Sequence, residues 1–296
     1  MKTYRQVLIE TEQTLINAGV FCGHGYESEH DEAVALVLAA AGLPDNTGAE
    51  ILDEAVPDAA LLQLADWVSK RTGERVPVAY LTGWAWLGPL KFRSDARALV
   101  PRSPLMSVVM DGFEPWYYGP LDHVVDVCCG GGSLGLLAAA GLPETKVTLL
   151  DIDDDALSLA QENRDLTGLG SVTIAKSDLL TVLPDACCDV VLANPPYVDA
   201  QDMADLPPEY RHEPSLALEA GADGLDLVHR LLIDAYRVLH PEGVLFLEVG
   251  NSWPALEASY PQFAFCWLEL ASGGHGVCVI NKGELSDLIR PADSKA

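Results

Sequence analysis

The apolar positions at the start of the chain recur at helical spacing. Val7, Leu8, Thr11, Leu15 and Ala18 share one face of a helix over Thr3 to Ala18. Ser28 has the chemistry of an N-cap, with Glu29, Asp31 and Glu32 in the first turn, and predicts a second helix that stops at Gly42-Leu43-Pro44. Pro57 suits a first helical position, and Leu61, Leu64, Ala65 and Val68 carry a third helix toward Arg71. Lys70, Arg71 and Gly73 read as its closing signals. Residues 1–75 are therefore expected to form a small helical domain. The helical period then breaks. Over 76–113, Tyr80-Leu81-Thr82-Gly83, two tryptophans, Gly88-Pro89 and Ala98-Leu99-Val100 predict a connector with a β-hairpin.

From Leu121 onward, short apolar runs alternate with helical patterns. Strands are predicted over 124–128, 146–151, 172–175, 188–193 and 243–249, with helices over 134–140, 156–167 and 224–239. Residues 263–270 and 276–281 read as a closing antiparallel pair. Alternation of this kind over 114–296 predicts a doubly wound, Rossmann-like α/β sheet with ligands at the carboxyl ends of its strands.

Composition narrows the function. The chain of 296 residues is 49% apolar and 21% charged, which suits a globular protein. Its net charge is −26, from 18 basic and 44 acidic residues. That balance argues against gripping nucleic acid through phosphates, and no direct nucleic-acid binding is expected. It suits a basic protein partner, and equally a role in solubility alone. The seven cysteines include no Cys-x-x-Cys, which speaks against a zinc site or a disulfide framework, and no metal site is expected. The longest apolar run, Ala33 to Leu43, is too short for a bilayer core of ~30 Å. A soluble, cytoplasmic protein without membrane contact is the expectation.

The candidate chemistry sits at the predicted strand ends. Gly130, Gly132 and Gly135 have Gly-x-Gly-x-x-Gly spacing between a strand and a helix, where the backbone can approach a ligand closely. Asp151 ends the next strand, 21 residues beyond Gly130, close to the ~20 expected of a ribose-binding acid. Asp126 precedes the loop, placed to face a cationic group, and Asp178 follows the third strand, placed to accept from an adenine amino group. These features alone fit a dinucleotide site as well. Asn194-Pro195-Pro196-Tyr197, behind the buried run 189–193, separates the two readings. The prolines lack an N–H and stop the ladder, Asn194 supplies an acceptor and a donor, and Tyr197 a flat face. Such a strand end cradles a planar –NH2 group and offers nothing to a hydride. Arg102, between Pro101 and Ser103-Pro104, reads either as a solvated linker cation or as a cation facing the crevice.

The tetrapeptide resembles the signature of S-adenosylmethionine-dependent enzymes that methylate amide or exocyclic amino nitrogens. More of the chain resembles the bacterial protein-glutamine methyltransferases, in the branch acting on a large-subunit ribosomal protein. The resemblance rests on Leu99-Val100-Pro101-Arg102-Ser103-Pro104, Asn194-Pro195-Pro196-Tyr197-Val198-Asp199, Asp202-Met203, Leu206-Pro207-Pro208-Glu209-Tyr210-Arg211, Glu213-Pro214, Asp223-Gly224-Leu225 and Glu248-Val249-Gly250-Asn251-Ser252. Arg-Ser-Pro and Asp-Met favour this branch over the related release-factor branch. Ser107 departs from the glutamate that the resemblance leads one to expect, and Cys129, Gly131 and Ser133 vary the glycine loop.

The resemblance implies S-adenosylmethionine, with S-adenosylhomocysteine as product, held by Asp126, Cys128, Gly130, Gly131, Gly132, Gly135, Asp151, Ile152, Asp178, Leu179 and Asn194. It implies a glutamine bound by Asn194, Pro195, Pro196 and Tyr197, with Arg102 nearby. The Asn194 side-chain oxygen and the Pro195 carbonyl are expected to hold both amide N–H bonds while Tyr197 packs on the amide. Asn194, Pro195 and Tyr197 are thus the catalytic candidates. No histidine is assigned a role; His123, His212, His229, His240 and His275 are expected to cap, pack or face solvent. Three alternatives stand beside this one: a release-factor glutamine methyltransferase, an adenine or guanine amino-group methyltransferase, and a silent binding protein of the same fold.

Overall fold

The computed structural model describes residues 1–270 and 273–289. The chain opens with α1 (Tyr4–Ala18), α2 (Glu29–Ala40) and α3 (Asp58–Ser69). Thr3 caps α1 reciprocally with Gln6, and the Ser28 hydroxyl caps α2 through the Asp31 N–H. Pro57 stands one position earlier than expected, at the N-cap of α3. The apolar faces meet at Leu15, Leu36, Val37 and Leu64, joined by Val78 of α4 (Val78–Thr82), so this core runs past residue 75.

The expected cationic end of α3 is corrected. The helix continues as a π-turn over Lys70–Glu74 instead of closing at Lys70 and Arg71, and Arg71 is fully buried. It pairs with Glu32 and Glu209, partners too distant in sequence to be read from helix-end signals.

The predicted hairpin is β1 (Trp84–Leu87) against β2 (Leu90–Arg93), antiparallel, followed by α5 (Leu105–Met110). Then come β3 (His123–Val127), α6 (Ser133–Gly141), β4 (Lys146–Asp151), α7 (Asp154–Thr167), β5 (Thr173–Lys176), β6 (Cys188–Ala193) and α8 (Ala200–Asp205). The chain closes through α9 (Val228–Val238), β7 (Leu239–Glu248), α10 (Trp253–Ser259), β8 (Cys266–Trp267), β9 (Val277–Asn281) and α11 (Lys282–Ile289).

The seven-stranded sheet has the order β5-β4-β3-β6-β7-β9-β8, with β9 antiparallel to β7 and to β8. Strand neighbours reverse direction of travel at β3, between β4 and β6, which opens a crevice at their carboxyl ends. The inner strands β3, β4 and β6 are buried on both faces, which is why they read as continuous apolar runs, while the edge strand β5 is partly exposed. Val190, Leu192 and Phe246 point to one core with α6, and Val191, Leu245 and Leu247 to the other with α9 and α11. Among the described residues no helix is long and apolar enough to cross a membrane.

Three boundaries differ from expectation. α9 starts at Val228, because Gly224 adopts a left-handed φ of 75° that ends any helix there. β7 starts at Leu239, which pairs with Cys188 ahead of a register shift. The edge strand β8 is only Cys266–Trp267, while Phe263 and Phe265 pack edge to face on each other instead of joining a ladder.

Candidate active site

A crevice of about 670 Å³ opens at the carboxyl ends of β3, β4 and β6. That is ample for a nucleotide-sized ligand. Its wall includes Asp126, Cys128, Gly130, Gly131, Asp151, Ile152, Asp178, Leu179, Asn194, Pro196, Tyr197 and Arg102. Three of the residues singled out in the sequence are set back from it. Pro195 is buried behind the wall. Gly132 and Gly135 serve the packing of α6: a Cβ at either would run into Leu149, and at Gly135 also into Asp126.

The loop after β3 is tied by its two acids. Asp151 Oδ2 accepts from the Gly130 N–H at 2.8 Å, and Asp126 Oδ2 accepts from the Gly135 N–H at 2.8 Å. Cys128, between them, holds a left-handed φ of 57°, and Leu179, three residues past the end of β5, a φ of 50°. Strained backbone at two points on one crevice wall suits a place where main chain is bent to meet a ligand. Asp126 is buried, and that burial pushes its carboxyl up to about 7 against the pull of the Gly135 N–H, with Asp151 adding to the rise. A buried acid held so weakly ionised is matched to a cationic group. Ile152 offers a half-exposed apolar side chain beside Asp151. Asp178 is not a lone acceptor: its Oδ2 is paired with Arg230 at 2.6 Å, and Arg230 is also on the wall.

Opposite lies the tetrapeptide. The Asn194 Oδ1 is buried and finds no hydrogen-bond donor among the described residues. Leaving such an acceptor unmade costs on the order of 1–3 kcal/mol, which a bound donor recovers. Tyr197 is fixed at both ends: its hydroxyl donates to Glu248 Oε1 at 3.1 Å and its carbonyl accepts from Ser252 Oγ at 2.7 Å. Ser103 Oγ donates to the other oxygen of Glu248 at 2.5 Å. Glu248 thus joins the Pro-Arg-Ser-Pro turn to the tetrapeptide. Burial raises its carboxyl above the usual range, while Ser103, Tyr197 and Arg102 pull it back. Arg102 is half-buried on the wall, with both terminal nitrogens on Glu213 at 2.5 and 2.7 Å and its guanidinium 5.2 Å from the Tyr210 ring. Burial works against ionisation of Glu213, but Arg102 overrides it and holds the carboxyl down at about 2.

Glu248, Tyr210 and Glu213 stand in the sequence only as members of longer motifs, which assign them no task. Glu248 had a signal, being the acid that ends the buried run 244–247. Ser107 lies on α5 and does not line the crevice. His123 bonds the Cys187 carbonyl and Thr148, His212 the Glu74 carbonyl, and His229 the Tyr260 hydroxyl. His275 is on the wall, bonded to Asn251 at 2.7 Å. His24, overlooked in the sequence, is buried against Tyr210.

A doubly wound sheet with a crevice of this make defines a class, and residues 118–206 match the family model of the methyltransferase small domain: the protein is a methyltransferase. The chain is 39% identical over 289 residues to the ribosomal protein uL3 glutamine methyltransferase of Bordetella pertussis, covering 97% of each chain. It is 38% identical to the enzyme of that name from Neisseria gonorrhoeae, covering 96% of each. The chain belongs to the ribosomal protein uL3 glutamine methyltransferase family. A methyltransferase structure from Pyrococcus furiosus is similar with a TM-score of 0.48 at 17% identity, over 66% of this chain and 90% of that one.

Proposed function

We propose that the protein transfers a methyl group from S-adenosylmethionine to the side-chain amide nitrogen of a glutamine in a large-subunit ribosomal protein, uL3. The observation that carries this reading is the unpaired Asn194 Oδ1 on the crevice wall. An amide –NH2 group is the donor it lacks. When bound, S-adenosylmethionine supplies an electrophilic methyl group. The residues on the wall suit it: Asp151 and the loop Cys128 to Gly131 would hold the ribose, Ile152 and Leu179 would pack on the base with Asp178 near its edge, and Asp126 would face the sulfonium.

The amide nitrogen is a poor nucleophile because its lone pair is shared with the carbonyl. Asn194 holds an N–H and aims that lone pair. As the nitrogen gains positive character its N–H bonds become stronger donors, so the acceptor binds the transition state more tightly than the ground state. The Pro195 carbonyl, the second acceptor the sequence supplies, belongs to a residue set back from the wall. Tyr197, with Pro196, forms the flat side of the slot, and Arg102 borders it. Orientation contributes much of the remaining rate. The helical residues 1–75 recognise the protein substrate, the connector 76–113 carries the Arg102 turn, and 114–296 carry methyl transfer. The strong acidity draws in a basic ribosomal protein in the cytoplasm.

Incubating uL3 with isotopically labelled S-adenosylmethionine and mapping the label by mass spectrometry tests the reading. One methylated glutamine side chain is expected. Label on RNA, on another residue type, or nowhere in uL3 defeats it.

A further inference from the structure

Two carboxylates beside the crevice reach into the rest of the chain. Glu209 lies in the first turn of the 3-10 helix Pro208–His212 that follows α8, and Glu213 caps its end. Glu209, 1% exposed, accepts from the Phe21 N–H at 3.0 Å and from Arg71 Nη1 at 2.9 Å. Arg71 in turn donates to both oxygens of Glu32 on α2, at 2.8 and 3.0 Å, and to the Phe21 carbonyl at 2.9 Å. Glu213 accepts from the Val100 N–H at 3.0 Å and from Arg102, and its Oε2 lies 3.5 Å from His24 Nε2.

Tyr210 stands between these carboxylates and lines the crevice. Its ring is packed by Phe21 at 5.9 Å, His24 at 4.6 Å and the Arg102 guanidinium at 5.2 Å. Phe21 and His24 come from the helical part of the chain, and Arg102 from the connector. One ring on the active-site wall is therefore seated by residues from outside the sheet domain.

Buried ion pairs are costly to desolvate, and well-packed apolar residues hold elements together at least as well. What a charged, directional network adds over an apolar contact is a fixed position. Groups held in the wrong place by about 1 Å lose on the order of 100-fold in rate.

We propose that Tyr210 contacts the protein substrate beside the glutamine slot, and that the Glu209–Arg71 and Glu213–Arg102 pairs are positioning residues that set its ring. This rests on the glutamine-transfer reading. The helical segment then does more than recruit substrate: it completes the crevice wall. Arg102 acts through Glu213 and Tyr210.

The test is a double-mutant cycle on Glu209→Ala and Tyr210→Ala, reading kcat and KM for uL3 alongside affinity for S-adenosylhomocysteine. Each single variant is expected to lose on the order of 10- to 100-fold in kcat/KM for uL3. The double variant should be no worse than Tyr210→Ala, because Glu209 acts through the ring. S-adenosylhomocysteine affinity should stay at the wild-type value. Glu209→Gln, which keeps an acceptor for Phe21 and Arg71, should recover part of the loss, and it replaces Glu209→Ala in the cycle if that variant does not fold. Additive losses, or loss of S-adenosylhomocysteine affinity in parallel with activity, overturn the proposal. Hydrogen exchange separates its failure from that of the functional reading. Glu209→Ala, or Glu209→Gln in its place, should lose amide protection over 206–218 but not in the sheet, whether or not uL3 is the substrate. Unchanged protection there overturns the positioning role of the Glu209–Arg71 pair, whereas altered protection in an enzyme that leaves uL3 unmethylated overturns the glutamine reading and the substrate contact of Tyr210 with it, and upholds the seating of the ring.

Discussion

Asn194 is the residue whose loss should separate turnover from folding. Its side chain faces the crevice, and its oxygen holds no partner that folding requires. Asn194→Ala is expected to melt close to wild type and to lose on the order of 100–1000-fold in turnover, the usual cost of removing an acceptor that strengthens in the transition state. Asn194→Asp keeps an oxygen but loses the amide donor, and should be nearly inactive with cofactor affinity retained. Thermal melts run beside methyl transfer decide the matter. A large drop in melting temperature with normal specific activity of the folded fraction would make Asn194 a turn former only. Asp126 gives a second residue-level prediction, in pH. Its carboxyl is raised to about 7 chiefly by burial, against ~3.9 in an unfolded chain. Between those values the native state keeps a proton that the unfolded state has lost, so this group's contribution to stability falls as pH rises through the window. A sulfonium favours the carboxylate. Binding of S-adenosylmethionine should therefore release a proton and tighten as pH rises toward about 7, while neutral S-adenosylhomocysteine shows a weaker dependence. Calorimetry in buffers of different ionisation enthalpy measures the proton directly, and identical pH profiles for the two ligands would remove Asp126 from the sulfonium. Asp126, Asp151 and Asp178 were legible because each lies at or near the end of a strand. Glu213 was not, because its partner Arg102 lies 111 residues away and leaves no local spacing to read; Glu248 had its strand-end position as a signal, but its partner Ser103, 145 residues away, was not legible.

At the scale of elements, the parallel strands were legible and the segment between β6 and β7 was not. Strands buried on both faces announce themselves as apolar runs. The segment from Val198 to Leu227 contains only α8 and short 3-10 turns, and its place is fixed by single contacts rather than by a period. Val198 bridges to Glu219, and Gly224 fits under the tetrapeptide. Gly224 has φ 75°, and a Cβ there would collide with the Tyr197 carbonyl and with Ser252 Oγ, the pair whose hydrogen bond pins the tetrapeptide. Gly224→Ala should cost about 1–3 kcal/mol through backbone strain alone. It should also lower kcat, because the collision is relieved by moving Tyr197. The denaturant midpoint and the turnover number should fall together. An unchanged midpoint would mean that the loop yields without strain and that Tyr197 is not held from this side.

At the scale of the whole molecule, the change from helical spacing to strand-helix alternation is plain in the sequence, whereas the junction between those regions is not. It is built from Arg71, Glu32, Glu209 and His24, residues that composition would place on the surface. The charge is fully legible, since it needs only counting, and it carries the last prediction. A protein with a net charge of −26 repels nucleic acid and attracts a basic partner over the range of its field. If uL3 is the substrate, encounter should be steered by that field, and exposed charges are screened beyond ~8 Å at physiological ionic strength. KM for uL3 should therefore rise steeply between low and high salt, through a slower association rate. The small ligand is bound inside the crevice, so affinity for S-adenosylhomocysteine should change little over the same range. This internal comparison separates screening from salt effects on folding. Titration of sodium chloride in a methyl-transfer assay, with calorimetry of S-adenosylhomocysteine under matched conditions, gives both curves. Salt-independent KM for uL3, or faster methylation of naked RNA than of protein at any salt, would show that the acidity serves solubility and plays no part in choosing the partner.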